Sequence, residues 1–248
     1  MEPEKYTVSG YDATRASNYD DESKLDKGNR ELHRQYLYDV LLFNNKTPGS
    51  FLELGCGTAY FTDVFYELYP NVKGVLVDGS KEMLDIAAEK FTDPGTRATF
   101  KHYLFEYLDW DDIGTGFDII FSSIAIHHLN DKEKWDLFHQ IYNNLAPGGI
   151  FILYDVFRHP NPKSFEILEY LACMDSRRKL VEDIGIDLDL EELKIENIIS
   201  NDRRIKLAEG DKEASLEHQL LHLNKAGFAD ITTFLQDARF AGTIAFKN

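Results

Sequence analysis

The stretch FLELGCGTAYFTDVF, residues 51–65, joins a short apolar run to a pair of glycines and then to helical spacing. Tyr60, Phe61, Val64, Phe65 and Leu68 fall at i, i+1, i+4, i+5 and i+8, one face of a helix. The stretch therefore reads as strand, tight turn, helix. Gly55 and Gly57 let the backbone turn sharply and approach a ligand without a Cβ in the way. Glu53 stands inside the apolar run, where a charge is expensive to bury.

The same alternation continues outward. Further strands are expected at Val72–Val77, Ala98–Tyr103, Phe117–Ser122 and Ile150–Tyr154, beside Ser50–Leu54. Met83, Leu84, Ala87, Ala88 and Phe91 form a second helical face. A third helix opens with a capping box at Asn130 and Glu133, buries Trp135, Phe138, Ile141, Tyr142 and Leu145, and stops at Pro147-Gly148-Gly149. Strand–helix–strand alternation with continuous apolar strands predicts an α/β fold: a parallel sheet covered on both faces. The loops after Leu54, Val77, Tyr103, Ser122 and Tyr154 should then converge on one cleft at the carboxyl ends of the strands.

The chain reads as one domain in four parts. Residues 1–45 are an N-terminal lid and helix, and residues 46–157 the core. Residues 158–212 are a charged helical cap, with helices near Ser164–Lys179 and Leu190–Leu207. Residues 213–248 return with a helix at Leu216–Ala226 and strands at Asp230–Phe234 and Gly242–Phe246.

Composition narrows the partners. The 248 residues are 43% hydrophobic, enough for a substantial core, and no run approaches the roughly 18 apolar residues of a membrane span. The N-terminal residues are not read as a signal peptide, and Cys56 and Cys173 have no ligand spacing; both points favour a reducing, cytoplasmic setting. A formal charge of −16 repels a phosphate backbone, so nucleic acid is an unfavourable partner. The basic clusters Arg177-Arg178-Lys179 and Arg203-Arg204-Lys206 read more often as helix faces balanced by acids than as anion sites.

Asp78 closes the second strand about 20 residues past the glycines, where an acid accepts from ribose hydroxyls. A dinucleotide fingerprint needs a third small residue, but Tyr60 occupies that place, and Glu53 would repel a pyrophosphate. A ribose-bearing cofactor with a cationic end fits better. S-adenosylmethionine carries a sulfonium and an ammonium and no phosphate.

With ELGCG at 53–57, VLVDGSKEMLDIA at 75–87, FEYLDW at 105–110, FDIIFSSIAIHHL at 117–129 and LAPGGIFILYD at 145–155, the chain resembles the class I S-adenosylmethionine-dependent methyltransferases of the small-molecule type. That resemblance implies a seven-stranded, mostly parallel sheet. It implies cofactor contacts from Glu53, Gly55, Cys56 (by backbone), Gly57, Asp78, Gly79, Met83, Glu106, Tyr107 and Ser122. YDATRASNYD, residues 11–20, resembles the lid segment of the same family, with Tyr19 closing over the cofactor. Glu106 stands where the family commonly has Asp.

Methyl transfer from a sulfonium needs alignment and a deprotonated acceptor rather than a fixed catalytic residue. His128 and His127 at the end of the fourth strand are candidate general bases, or alternatively packing residues. Tyr11, Arg15, Asp155, Arg158 and Arg239 are candidate acceptor-side residues. Ser122-Ser123-Ile124-Ala125 replaces the [DN]PP[YF] loop of adenine-type amino-methyltransferases, and no Asp-Asn pair follows Asp155, so no metal is expected. The acceptor is expected to be a small molecule, and the oligomeric state is open. Two competitors stand beside this reading. One is an enzyme of the same fold that forms carboxy-S-adenosylmethionine or serves tRNA modification, which would place an arginine such as Arg15, Arg158 or Arg239 in the cleft. The other is a cofactor-binding protein without turnover.

Overall fold

A computed structural model describes residues 16–20, 30–44, 46–92, 97–178 and 195–248. Residues 16–20 are helical. The following elements are α1 (Arg30–Phe43), β1 (Ser50–Leu54), α2 (Thr62–Leu68), β2 (Lys73–Asp78), α3 (Lys81–Lys90), β3 (Ala98–His102), the short α4 (Trp110–Ile113), β4 (Phe117–Ser123), α5 (Asp131–Asn144) and β5 (Leu145–Val156). The chain continues through α6 (Pro162–Arg178), α7 (Ile195–Glu209), α8 (Leu216–Ala226), β6 (Ala229–Asp237) and β7 (Phe240–Phe246).

Seven strands form one sheet in the order β3-β2-β1-β4-β5-β7-β6. The first five are parallel to their neighbours, and β7 runs antiparallel between β5 and β6. The order reverses between β1 and β4, and ligands of open α/β sheets bind at such a switch point. Apolar residues of β1 explain its central place: Phe51, Leu52 and Leu54 are fully buried, because helices cover both faces. Two core clusters result, one on each side of the sheet.

The capping box of α5 is present in both halves. The Glu133 N–H donates to Asn130 Oδ1 at 3.0 Å, and the Asn130 N–H donates to Glu133 Oε2 at 2.7 Å. Phe138, Ile141 and Leu145 are buried as expected, but Trp135 and Tyr142 are half-buried at the seam with α8 and β6. There Trp135 meets His222 edge-on at 5.3 Å, and Tyr142 meets Phe228 at 5.2 Å.

β5 starts five residues earlier than the apolar pattern suggests. Gly148 and Gly149 exchange backbone hydrogen bonds with Lys247, so the glycines extend the ladder after ending the helix. β6 runs to Asp237 rather than Phe234, since an edge strand with alternating exposure carries polar residues that hide its length. Of the cap, α6 matches expectation, whereas the first residues expected for α7, 190–194, lie outside the described residues. Among the described residues no helix is long and apolar enough to cross a membrane.

Candidate active site

β1 delivers Glu53 and the glycine turn to the switch point. Glu53 is 2% exposed and accepts a hydrogen bond from Thr62 Oγ1 at 2.5 Å. Burial pushes its carboxyl up to about 8; the Thr62 bond opposes this, and the charges of Asp63 and Asp78 add to it. After it the chain must come very close to the β4 loop. A Cβ on Gly55, whose φ is +70°, would lie 2.3 Å from the Ala125 Cβ and 3.1 Å from the Phe105 ring. No other residue type fits there. Ile124, a β-branched residue at φ 50°, carries the strain of bending the β4 loop toward that contact.

Asp78 closes β2 and is locked by backbone donors. Gly57 N–H reaches Oδ2 at 2.7 Å and Ser80 N–H reaches Oδ1 at 2.8 Å. Burial raises its carboxyl above the usual range, against the pull of those N–H groups. These loops and the turn after β3 enclose a cavity of about 400 Å³. Tyr19, Glu53, Gly55, Cys56, Gly57, Asp78, Gly79, Met83 and Glu106 all line it. The segment 16–20 is pinned there by Thr58 Oγ1 donating to Asp20 and by a Lys90–Asp20 ion pair at 2.6 Å. Burial raises the Cys56 thiol well above its ordinary value, leaving backbone as its contribution.

Several expected site residues stand elsewhere. Tyr107 is 49% exposed on the outer side of its turn and does not line the cavity. Ser122 is buried beneath the cavity, where its hydroxyl donates to the Leu54 carbonyl at 2.7 Å; Ser123 and Ile124 form the lining instead. Arg158 is exposed, its backbone bridged to Ser215. Arg239 is buried but ion-paired to Glu213 and Asp202 and set over Phe165 at 5.2 Å, so it ties the cap to the last hairpin. Asp155 lies wholly buried behind the cavity wall. Tyr11 and Arg15 lie outside the described residues, as do the side chain of Arg177 and all of Lys179. Arg203 pairs with Glu169 and Lys206 with Asp202, so that basic cluster is balanced by acids.

The structure adds residues that the sequence does not single out. Leu104 and Phe105 give the β3 wall two apolar members beside Glu106. Arg30 lines the cavity at 7% exposure, with its guanidinium 3.7 Å above the Tyr60 ring. Its Nε and Nη1 are buried without hydrogen-bond partners among the described residues, an arrangement a carboxylate would satisfy. Nothing in the sequence distinguishes it from Arg34, which pairs with Asp63 instead.

A polar corner closes the far side. His127 Nδ1 and Asp155 Oδ1 are 2.6 Å apart, His128 Nδ1 and Asp211 Oδ1 are 3.3 Å apart, and His128 lines the cavity with Gly210 and Lys212. Asp211 and Lys212 stand at the end of the charged segment 158–212, and the fold brings them to the β4 loop.

These groups fit S-adenosylmethionine: an acid for the ammonium, an acid for the ribose hydroxyls, and an arginine for the carboxylate. Residues 51–149 match the methyltransferase domain family. The chain is 27% identical over 164 residues to a malonyl-[acyl-carrier protein] O-methyltransferase of Ilyobacter polytropus, covering 66% of this chain and 56% of that protein. It is 25% identical over 223 residues to a carboxy-S-adenosyl-L-methionine synthase of Campylobacter fetus, covering 86% and 84%. Among solved structures, human N-acetylserotonin methyltransferase in complex with S-adenosylmethionine matches with a TM-score of 0.56 at 17% identity, covering 100% of this chain and 60% of that one. An O-methyltransferase family protein of Burkholderia thailandensis matches with a TM-score of 0.60 at 14% identity, covering 96% and 60%. The chain thus spans just over half the length of the first of these relatives and about 60% of both solved structures. Residues 51–149 thus match a methyltransferase domain, set in a fold that this chain shares with these solved methyltransferases.

Proposed function

We propose that this protein transfers the methyl group of S-adenosylmethionine to the oxygen or nitrogen of a small molecule. The observation that carries the reading is the convergence of Glu53, Asp78 and Arg30, two acids and an arginine, on one cavity. S-adenosylmethionine supplies an activated methyl on a sulfonium, which moves in line to an acceptor lone pair. The protein's part is placement. Glu53 holds the ammonium, Arg30 the carboxylate and Asp78 the ribose, while Met83, Leu104 and Phe105 provide apolar walls for the adenine. A cavity of about 400 Å³ and a charge of −16 favour a small acceptor over a polyanion. The polar corner of His127, His128 and Asp211 is where the acceptor would lose its proton. Residues 1–45 and 158–212 would serve as lid and cap in this reading, in a cytoplasmic setting.

The test is formation of S-adenosylhomocysteine over a panel of phenols, carboxylic acids and amines, with an Asp78→Ala variant alongside. Turnover of a member of the panel by the wild type, lost in the variant, supports the reading. Cofactor binding with no turnover on any class would favour a protein without catalysis.

A second reading is favoured by Arg30. Among the described residues Arg158 and Arg239 do not line the cavity, but Arg30 does, and the carboxy-S-adenosyl-L-methionine synthase relative aligns over 86% of this chain. An arginine with free N–H groups beside the sulfonium end would also suit a donor carrying an added carboxylate. Mass spectrometry of the cofactor retained through purification separates the two, since a carboxylated donor is heavier by one carbon dioxide.

A further inference from the structure

The corner where the 126–128 turn meets the loop 210–212 carries more chemistry than a single base requires. His127 Nε2 lies 3.7 Å from Asp211 Oδ1, and His128 Nδ1 lies 3.3 Å from the same oxygen. One ligand atom from each of the three residues falls within 4.8 Å of the others. Ligands held 2.0–2.1 Å from a zinc ion at tetrahedral angles stand about 3.4 Å apart. The two histidine–Asp211 separations already match.

The tautomer of His127 sharpens the point. Asp155 is wholly buried, and its Oδ1 also accepts the Val156 N–H at 2.9 Å. A carboxylate only accepts, so the proton of His127 sits on Nδ1 and the Nε2 lone pair faces Asp211. A buried carboxylate orienting the far nitrogen of a histidine is the usual outer support of a metal-bound imidazole.

The two segments are also fastened together. Lys212 N–H donates to the His127 carbonyl at 2.8 Å, Lys212 Nζ donates to the His128 carbonyl at 3.0 Å, and Lys134 Nζ donates to the Lys212 carbonyl. Both lysines thus give hydrogens to backbone carbonyls of this corner.

We propose that His127, His128 and Asp211 form a divalent transition-metal site, zinc being the best-matched ion, with Asp155 as the positioning residue behind His127. Two nitrogens and one carboxylate suit such a cation better than magnesium or calcium, which take oxygen ligands. Three protein ligands leave a position open, and His128, 26% exposed by its side chain, turns that position to the cavity. Resting on the methyl-transfer reading, this assigns the acceptor to oxygen donors able to bind a cation, such as a phenol or hydroxy acid. The bound hydroxyl gives its proton to solvent. Its oxygen then forms the bond to the methyl carbon as the carbon–sulfur bond breaks, leaving a neutral thioether.

The test is calorimetric titration of chelator-stripped full-length protein with Zn²⁺, in parallel with titration by S-adenosylmethionine. One equivalent of Zn²⁺ should bind, weakened at least tenfold in Asp211→Asn and in His128→Ala. A His222→Ala variant, which alters the His218–His222 pair on α8, should keep it. Retained melting temperature and cofactor affinity in Asp211→Asn show that the variant folds. Absence of Zn²⁺ binding by wild-type protein that binds S-adenosylmethionine overturns the metal site. Zn²⁺ binding untouched by Asp211→Asn and His128→Ala also overturns it. Failure of S-adenosylmethionine to bind, with Zn²⁺ binding intact, refutes the methyl-transfer reading and the acceptor assignment while the metal site stands.

Discussion

Cofactor binding should move protons, and Glu53 sets how many and in which direction. Its carboxyl, pushed up to about 8 by burial, is about nine-tenths protonated at pH 7 in the free protein. The cofactor's ammonium, beside it, favours the ionised form, so binding expels that proton. A free α-amino group titrates near 7.7–8.0 and is itself about nine-tenths protonated at pH 7, so the net release is about 0.8 proton per bound cofactor. Near pH 8 the two effects cancel. At pH 9 the complex takes up about 0.8 proton, because free Glu53 has lost its own and the bound amine regains one. Calorimetry in buffers of different ionisation enthalpy reads the number directly. In Glu53→Gln the release at pH 7 should vanish, leaving a slight uptake, and affinity should fall at least tenfold. Wild-type binding with no buffer dependence at pH 7 would refute the reasoning, as would release persisting in Glu53→Gln.

Other consequences follow from the same residues. Glu53 binds a proton in the folded state between pH 4.5 and about 8, where the unfolded chain does not; stability is therefore lost as pH rises through that window. The span corresponds to roughly 5 kcal/mol, so urea midpoints of wild type and Glu53→Gln should diverge from pH 5 to 8, and a constant difference would contradict this. Gly55→Ala forces a Cβ onto Ala125 at positive φ, which should cost about 1–3 kcal/mol in denaturant titration and weaken cofactor binding. Arg30→Met should lower cofactor affinity at least tenfold while leaving the melting temperature unchanged or raised, since the guanidinium is buried with unmet donors; loss of stability with unchanged affinity would make Arg30 a packing residue.

How far these residues could be read in the chain depended on distance along it. β1, the glycine turn and α2 are contiguous, so apolar spacing and two glycines suffice to read them, and Asp78 follows at the fixed interval of a strand–helix–strand unit. The capping box of α5 is legible for the same reason. Arg30 and Asp211 are not. Each is an ordinary charged residue on a helix or loop, and only tertiary packing sets Arg30 over Tyr60 and brings Asp211 beside His128. Arg239 shows the converse: a basic residue near the sheet's carboxyl end looked available for substrate, yet Glu213 and Asp202 engage it. Ser122 missed the cavity by one residue, since adjacent strand side chains face opposite sides of the sheet and Ser123 is the one that opens onto it.

The most direct measurement is calorimetric titration of the wild type and Asp78→Ala with S-adenosylmethionine, and of the wild type with NADH. The account predicts micromolar binding of S-adenosylmethionine, weakened at least tenfold in the variant, and no binding of NADH, whose pyrophosphate turn needs a small residue where Tyr60 stands. Tight NADH binding, or no binding of S-adenosylmethionine, would contradict it.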